Sequence, residues 1–414
     1  MWPLSSDGQF AFQLAEILSL SNGGGANTGE VLRAATQITA GDFESFYSEF
    51  KFLADAIHEL GVTAESAGFT VSARDAYFRS STYYRAADFF LHGNLSDPRL
   101  TTLWDSQLAD FAKAISLLPI PGEKIVVQAS NFTVPLYFFP GKAPGSSCGA
   151  KLPTILVGTG YDAPQEDMYH SMCTQIVARG WNCATYEGPG QSTVRRQQGL
   201  GFTPEWWTVV TPIVDYFKTR PDVDMSRLVL EGVSFGGQLA PRAAVHDDRF
   251  AAVVLVDGIW SVYDYITSQF PSQLLDPLNA GNSTAFDTIV WELYSSSLVS
   301  TQFRWVIDQG LFAFNTRSPY DFFIQLKTYT LDDSILRNVT APIFVADGQD
   351  DTVAPGQAEQ VYEALNEEAG YYVFKTELGA GEHCQIGAEA QLAMIALDWL
   401  ANVFNGVNAT SAML

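Results

Sequence analysis

The sequence predicts an α/β fold: a mostly parallel sheet with helices on both faces, extended by an N-terminal helical block and a helical cap insertion. Three observations lead there. From Glu123 onward, short apolar runs alternate with amphipathic helical patterns, as in successive βαβ units. One such run, Arg227-Leu228-Val229-Leu230-Glu231, leads straight into Gly232-Val233-Ser234-Phe235-Gly236 and then into a helical pattern reaching His246. Residues 9 to about 118 instead repeat apolar side chains at helical spacing.

In that first block Phe43, Phe46, Phe50, Leu53, Ala54 and Ile57 form one helical series. Tyr77, Phe78, Tyr84, Ala87 and Phe90 form a second. Helix–helix packing is the simpler use of these aromatics; roofing a pocket with Tyr83 and Tyr84 is the sharper one. Asn22-Gly23-Gly24-Gly25 is expected as a flexible loop. Strands are expected near Ile125–Ala129, Thr133–Phe139, Thr154–Val157, Cys183–Tyr186, Leu228–Val233, Ala252–Val256, Ile343–Ala346 and Tyr372–Thr376. Helices are expected near Asp167–Arg179, Pro204–Thr219, Gly237–His246, Gln357–Leu365 and Ala388–Val403. Glu187-Gly188-Pro189-Gly190-Gln191-Ser192 reads as a tight connection rather than a substrate contact. Between Ile259 and about Asn338 the alternation breaks into an aromatic, helical insertion. The resulting division is a helical block at 1–120, core at 121–258, cap insertion at 259–339, core again at 340–405 and a tail at 406–414.

Composition narrows the function. With 47% hydrophobic and 13% aromatic residues, a chain of 414 residues buries a large core. A net charge of −23 repels phosphate backbones and anionic lipid surfaces, so neither nucleic acid nor membrane is an expected partner. The first residues lack the basic start and apolar run of a signal peptide, and no run of about 18 apolar residues occurs. A cytoplasmic protein is expected. On that reading the sequons at Asn94, Asn131, Asn282, Asn338 and Asn408 are chance. Cys148, Cys173, Cys183 and Cys384 are then free thiols, without metal-ligand spacing. Monomer and homodimer both remain open.

The chemistry centres on Ser234. A strand, G-x-S-x-G and a helix build a sharp turn that lifts the serine above the sheet edge, with a helix N-terminus beneath a developing anion. Gly145-Ser146-Ser147-Cys148-Gly149 matches the same pattern but lies in a Pro/Gly/Ser-rich loop, so Ser147 is a decoy. A serine hydroxyl needs a base, itself oriented by an acid. Of five histidines only His383, in Gly381-Glu382-His383, follows Ser234 near the chain's end. His58, His92, His170 and His246 read as structural. After the strand Ile343–Ala346 comes Gly348-Gln349-Asp350-Asp351-Thr352-Val353-Ala354-Pro355, with two candidate acids.

These motifs resemble those of the α/β-hydrolase superfamily over about residues 123–405. The helical block, with Asp75-Ala76-Tyr77-Phe78-Arg79 and Tyr83-Tyr84-Arg85-Ala86-Ala87, together with Glu187-Gly188-Pro189-Gly190-Gln191, is similar to the 2,6-dihydroxypseudooxynicotine hydrolase-like group. Fungal members of that group include polyketide-shortening hydrolases and hydrolases of cytochalasan- and fusarin-type polyketide–peptide pathways. The superfamily's usual spacing, three residues after the glycine and four before the proline, selects Asp351, with Asp350 as the alternative. Asp350 or Asp347 has a second use, capping the helix near Pro355. The oxyanion donors are expected from the backbone of Phe235 and, in the loop Gly158-Thr159-Gly160-Tyr161, from Tyr161. That loop departs from the more usual Gly-Gly pair.

The resemblance implies a serine hydrolase with the triad Ser234, Asp351 and His383 and no cofactor or metal. Its substrate would be a bulky apolar carbonyl compound: an ester, a lactone or a β-dicarbonyl. The alternatives are a non-hydrolytic cyclase or condensation catalyst on the same kind of substrate, and a silent binding protein.

Overall fold

Strands buried on both faces read as unbroken apolar runs, and those runs assemble into one sheet. The computed structural model describes residues 3–143, 145, 150–366 and 369–413. Its strands are β1 (Glu123–Gln128), β2 (Thr133–Phe139), β3 (Leu152–Gly158), β4 (Asn182–Tyr186), β5 (Val223–Val233), β6 (Ala252–Val256), β7 (Ile343–Gly348) and β8 (Gly370–Phe374). They lie in the order β1-β2-β4-β3-β5-β6-β7-β8. β2 is antiparallel to both β1 and β4, and all remaining pairs are parallel. Ser147 and Cys148 lie outside the described residues.

Alternation along each strand sends side chains into two cores. Leu228 and Leu230 of β5, with Val253 and Leu255 of β6, face the helices Trp207–Phe217 and Gly236–Ala244. Val229, Val254, Phe344 and Ala346 face the C-terminal helix Glu389–Phe404 and the feet of Thr70–Asp88 and Arg99–Ser116. The insertion between β6 and β7 consists of short helices, most started by a side-chain cap. Ser261, Asn282, Ser300, Ser318 and Asp332 each accept a backbone N–H of the first turn that would otherwise be unpaired. Gln238 Nε2 donates to Trp260 O at 3.1 Å, and Arg242 donates to Thr328 O and Thr330 O at 2.8 Å each, tying the insertion to the helix after Ser234. Thr301 reaches Asp7 at 2.6 Å, and Arg304 reaches Gly41 O at 3.1 Å, joining it to the N-terminal block. Among the described residues no helix is long and apolar enough to cross a membrane.

Two expectations change and two elements gain detail. Gly23 and Gly25 are packing surfaces, not a flexible loop. A Cβ on Gly23 would stand 2.1 Å from His170 O, and one on Gly25 would stand 2.5 Å from the His170 ring. The His170 ring also bonds Gly23 O at 2.9 Å, and burial pushes its pKa down to about 4, so it stays neutral. Cys173 and Cys183 form a disulfide rather than two free thiols. Nothing in their spacing tells that the helical turn before Thr174 packs beside β4, bringing their Cα atoms to 5.3 Å. The expected helix Asp167–Arg179 is present as helix from Asp167 to Ala178, with a π-helical turn at Tyr169–Cys173 before Thr174–Ala178. The run at 187–192 leads into a helix, Ser192–Gln198, that lies beyond the elements expected from the sequence.

Tyr83 and Tyr84 pack inside the helical block. Tyr83 bonds Glu30 at 2.7 Å and Tyr84 bonds Asp55 at 3.0 Å, so helix packing is their use.

One residue in the sheet is out of character. Glu231 of β5 is fully buried, and both its carboxyl oxygens lack a hydrogen-bond partner among the described residues. Burial pushes its pKa up to about 8. Holding the acid protonated at pH 7, against an ordinary value of 4.5 in the unfolded chain, costs about 3 kcal/mol. Burial likewise pushes Asp257, Asp167 and Asp308 up to about 7. For each, the unfolded chain loses its proton at lower pH than the folded one, so stability falls as pH rises from about 4 towards 8. The melting temperature at pH 8 is expected below that at pH 5.5, with a shallower fall in Glu231→Gln. Scanning calorimetry showing equal or higher stability at pH 8 would contradict this burial argument.

Candidate active site

Ser234 directly follows β5 in a conformation that L-residues rarely adopt, with φ at +58°. Glycines make room for that turn. A Cβ on Gly232 would stand 2.0 Å from Gly236 O, and one on Gly236 would stand 2.7 Å from Thr159 O. Two backbone bonds hold it: Ser234 N donates to Val256 O, and Gly237 N donates to Ser234 O at 2.7 Å.

His383 follows β8 and reaches back across the sheet edge. Its Nε2 lies 2.9 Å from Ser234 Oγ and its Nδ1 lies 2.8 Å from Asp351 Oδ2. Asp351 follows β7, and its other oxygen accepts the N–H groups of Val353 at 2.7 Å and Ala354 at 2.8 Å. The neighbouring candidates point elsewhere: Asp350 accepts from Thr376 at 2.6 Å, and Asp347 from Tyr371 at 2.5 Å. Glu382 binds the two loops together by accepting from Thr352 N at 3.2 Å and Thr352 Oγ1 at 2.7 Å. Ser234, His383 and Asp351, the three residues expected from the sequence, therefore meet in one hydrogen-bonded line.

Burial opposes charge on His383, but its contacts with Cys384 and Asp351 outweigh it and hold the pKa well above the ordinary 6.5. Burial pushes the Cys384 thiol up, leaving it neutral at pH 7, so the Asp351 carboxylate carries the effect there. In return, burial of Asp351 is outweighed by the imidazole, and its pKa lies below the ordinary range.

The loop Gly158-Thr159-Gly160-Tyr161 runs over the serine. A Cβ on Gly160 would stand 2.8 Å from Ser234 Cβ and 3.0 Å from Phe235 N, so only glycine allows this approach. Among the described residues neither the Phe235 nor the Tyr161 amide N–H is taken up by a hydrogen bond. Gln191 braces the loop, donating to Thr159 O at 2.8 Å and Gly160 O at 3.1 Å, while its own carbonyl accepts from Gly188 N at 2.8 Å. The Gly-rich run after β4 is therefore a strut for this loop as well as a connection. Its one side-chain amide, able to donate and accept at once, was the available signal.

Sequence reasoning also missed Asp257, directly after β6. It is buried; Oδ2 accepts Cys384 N at 2.9 Å and Oδ1 accepts Gln385 Nε2 at 2.7 Å. A carboxylate at the C-terminal end of a parallel strand, the edge where such sheets bind ligands, was the signal. Ligand-type atoms of Asp257, His383 and Cys384 lie within 4.8 Å of one another. Each is already engaged within the protein: Asp257 as above, His383 Nδ1 with Asp351, and Cys384 Sγ with Val256 O at 3.2 Å.

Ser234 and His383 open into a cavity of about 740 Å³. Phe12 of the helical block, Val262, Tyr265, Trp305 and Phe322 of the insertion, and Met172 give it apolar walls. Of the insertion's many aromatics most are core: Phe270, Phe286 and Phe323 pack together, as do Phe312 and Phe314 against the sheet-side cluster. Glu16, Asp162 and Asp167 also face the cavity, with the buried Arg85 guanidinium 3.1 Å from Glu16 and 3.3 Å from Asp167.

Comparison with known proteins follows the same outline. The chain is 30% identical to the hydrolase acrC of Aspergillus aculeatus over 95% of its own length and 96% of that protein. It is 27% identical to the 20-hydroxy-prefusarin hydrolase of Gibberella moniliformis, again over 95% and 96% of the two chains. The profile of the prolyl oligopeptidase family matches residues 210–290, the stretch around Ser234. The crystal structure of 2,6-dihydroxy-pseudo-oxynicotine hydrolase superposes with a TM-score of 0.72 at 18% identity, covering 96% of this chain and 98% of that one.

The His383 ring gives a direct check on this electrostatic arrangement. An NMR titration is expected to place its midpoint above 6.5, and Asp351→Asn is expected to lower it, because the carboxylate stabilises the charged ring. A midpoint at or below 6.5 in the wild type would contradict the assigned contact.

Proposed function

The chain belongs to the α/β-hydrolase family that contains these fungal hydrolases, and from that premise we propose that it is a serine hydrolase of fungal secondary metabolism. Its substrate is a bulky, largely apolar carbonyl compound of polyketide or polyketide–peptide type: an ester, a lactone or a β-dicarbonyl. The observation that carries this reading is the line Ser234–His383–Asp351, at 2.9 and 2.8 Å, opening into a cavity of about 740 Å³ with apolar walls. A cavity of that size suits a ligand larger than a simple ester.

In this reading Ser234 Oγ passes its proton to His383 Nε2 as it attacks the carbonyl carbon. Asp351 holds the Nδ1–H and stabilises the imidazolium that forms. The oxyanion takes the free amides of Phe235 and Tyr161, and loss of one such donor typically costs about 10²–10³ in kcat. His383 then returns the proton to the leaving oxygen or carbon. Water repeats the sequence on the acyl-enzyme and releases the acid.

Ser234→Ala and His383→Ala are each expected to lower turnover about as far as the double variant does, by up to about 10⁶-fold. A double variant far below either single one would show that they do not act as a unit. Because His383 must be neutral to accept the proton, kcat/KM is expected to rise with pH about a midpoint above 6.5. Products formed in heavy-oxygen water are expected to carry one labelled oxygen, and unlabelled products would favour cyclisation or condensation instead.

The walls give a separate test. Trp305→Ala and Tyr265→Ala are expected to lower kcat/KM for large apolar esters while sparing p-nitrophenyl acetate, which needs little of the cavity. Equal losses on both, together with a lowered melting temperature, would make these residues core rather than substrate contacts.

A further inference from the structure

We propose that Asp257 is a second carboxylate for His383: a positioning residue that takes the Nδ1 proton of the imidazole when Asp351 does not hold it. The proposal rests on the reading of Ser234, His383 and Asp351 as a catalytic line. Asp257 Oδ2 lies 3.8 Å from His383 Nδ1, about 1 Å beyond the hydrogen bond that Asp351 makes to the same atom at 2.8 Å. The two carboxylates come from different strands, Asp257 from the end of β6 and Asp351 from the loop after β7. They flank one imidazole, and both are buried.

The local bonding fixes this arrangement. Cys384 and Gln385, the two residues after His383, both adopt φ of +53°. Asp257 holds that left-handed turn by accepting Cys384 N and Gln385 Nε2, and Cys384 Sγ donates to Val256 O. The loop that presents His383 is thus fastened to the end of β6 through Asp257. A small rotation of the imidazole or of the carboxyl group closes the remaining gap without moving either strand. A buried acid this close to a histidine that must become charged has a use besides holding backbone. Uncompensated charge at this depth would be costly, and a second carboxylate shares the load.

The charged and titratable groups facing this pair are Asp351, Cys384 and, from the loop after β3, Asp162, whose field also reaches His383. Burial pushes Asp257 up to about 7, so it is an acid below neutrality and a carboxylate above it.

A double-mutant cycle tests the assignment. Asp351→Asn alone is expected to lose only about 10- to 10²-fold in kcat/KM, because Asp257 takes over the Nδ1 proton. Asp257→Asn/Asp351→Asn is expected to fall to about 10⁴-fold below wild type, the loss seen when a catalytic histidine has no carboxylate to set its tautomer. Asp257→Asn alone is expected to cost less than about 10-fold, since asparagine still accepts Cys384 N. A purely structural Asp257 would lower activity by the same factor on both backgrounds, and that additivity overturns the proposal.

Asp351→Asn should also show activity rising with pH through neutrality as Asp257 ionises. A flat profile there counts against the proposal even if the double variant fails to fold. A readout independent of turnover is the downfield Nδ1–H resonance of His383. It is expected to persist in Asp351→Asn and to disappear in the double variant. Its absence from Asp351→Asn defeats the proposal, whereas a wild-type protein with the resonance but no hydrolytic turnover defeats the hydrolase reading instead.

Discussion

The structure turns on one buried imidazole. His383 sits with a serine hydroxyl 2.9 Å from one nitrogen and a carboxylate 2.8 Å from the other, away from solvent that would weaken both bonds. Three loops must converge for this, from the ends of β5, β7 and β8. A parallel sheet supplies that convergence because adjacent parallel strands all end on the same edge. The strand order β5-β6-β7-β8 sets these strands side by side at one end of the sheet, so the chain segments carrying the three groups are neighbours despite wide separation in sequence.

Close backbone approach is the second condition. Gly160, Gly232 and Gly236 stand where a Cβ would strike backbone or the Ser234 side chain, and Gly348 stands where a Cβ would lie 2.7 Å from Glu382 O. These glycines let the strand ends close on one another, and the polar side chains of Gln191, Glu382 and Asp257 then fasten the loops. Two helical additions, one before β1 and one between β6 and β7, complete the cavity. The first helix supplies Phe12, and the insertion supplies Tyr265 and Trp305. What distinguishes this pocket from an open cleft is that the two additions also bond to each other, through Asp7 with Thr301 and Gly41 with Arg304.

Much of this is written locally in the sequence. β3, β4 and β6 are legible because strands buried on both faces are largely apolar and carry no charged residue. Ser234, His383 and Asp351 are legible because each stands in a motif whose neighbours serve the same turn. Asp257 and Gln191 are harder to read, because their positions at strand ends mark them only weakly and the loops they fasten lie far along the chain. The Cys173–Cys183 bond depends on a helical turn docking beside β4. Gly23 and Gly25 look like flexible linkers until His170 is seen packed against them. Aromatic density in the insertion reports burial, and only the packed structure separates Trp305, at the cavity wall, from Phe323, inside the cap.

The central claim is that Ser234 is an activated nucleophile. It is tested most directly by treating the folded protein with a fluorophosphonate and mapping the adduct by mass spectrometry. The account requires one phosphonyl group, on the peptide carrying Ser234, with labelling abolished in His383→Ala. An unlabelled Ser234 in a folded protein, or an adduct on Ser147 instead, would contradict it.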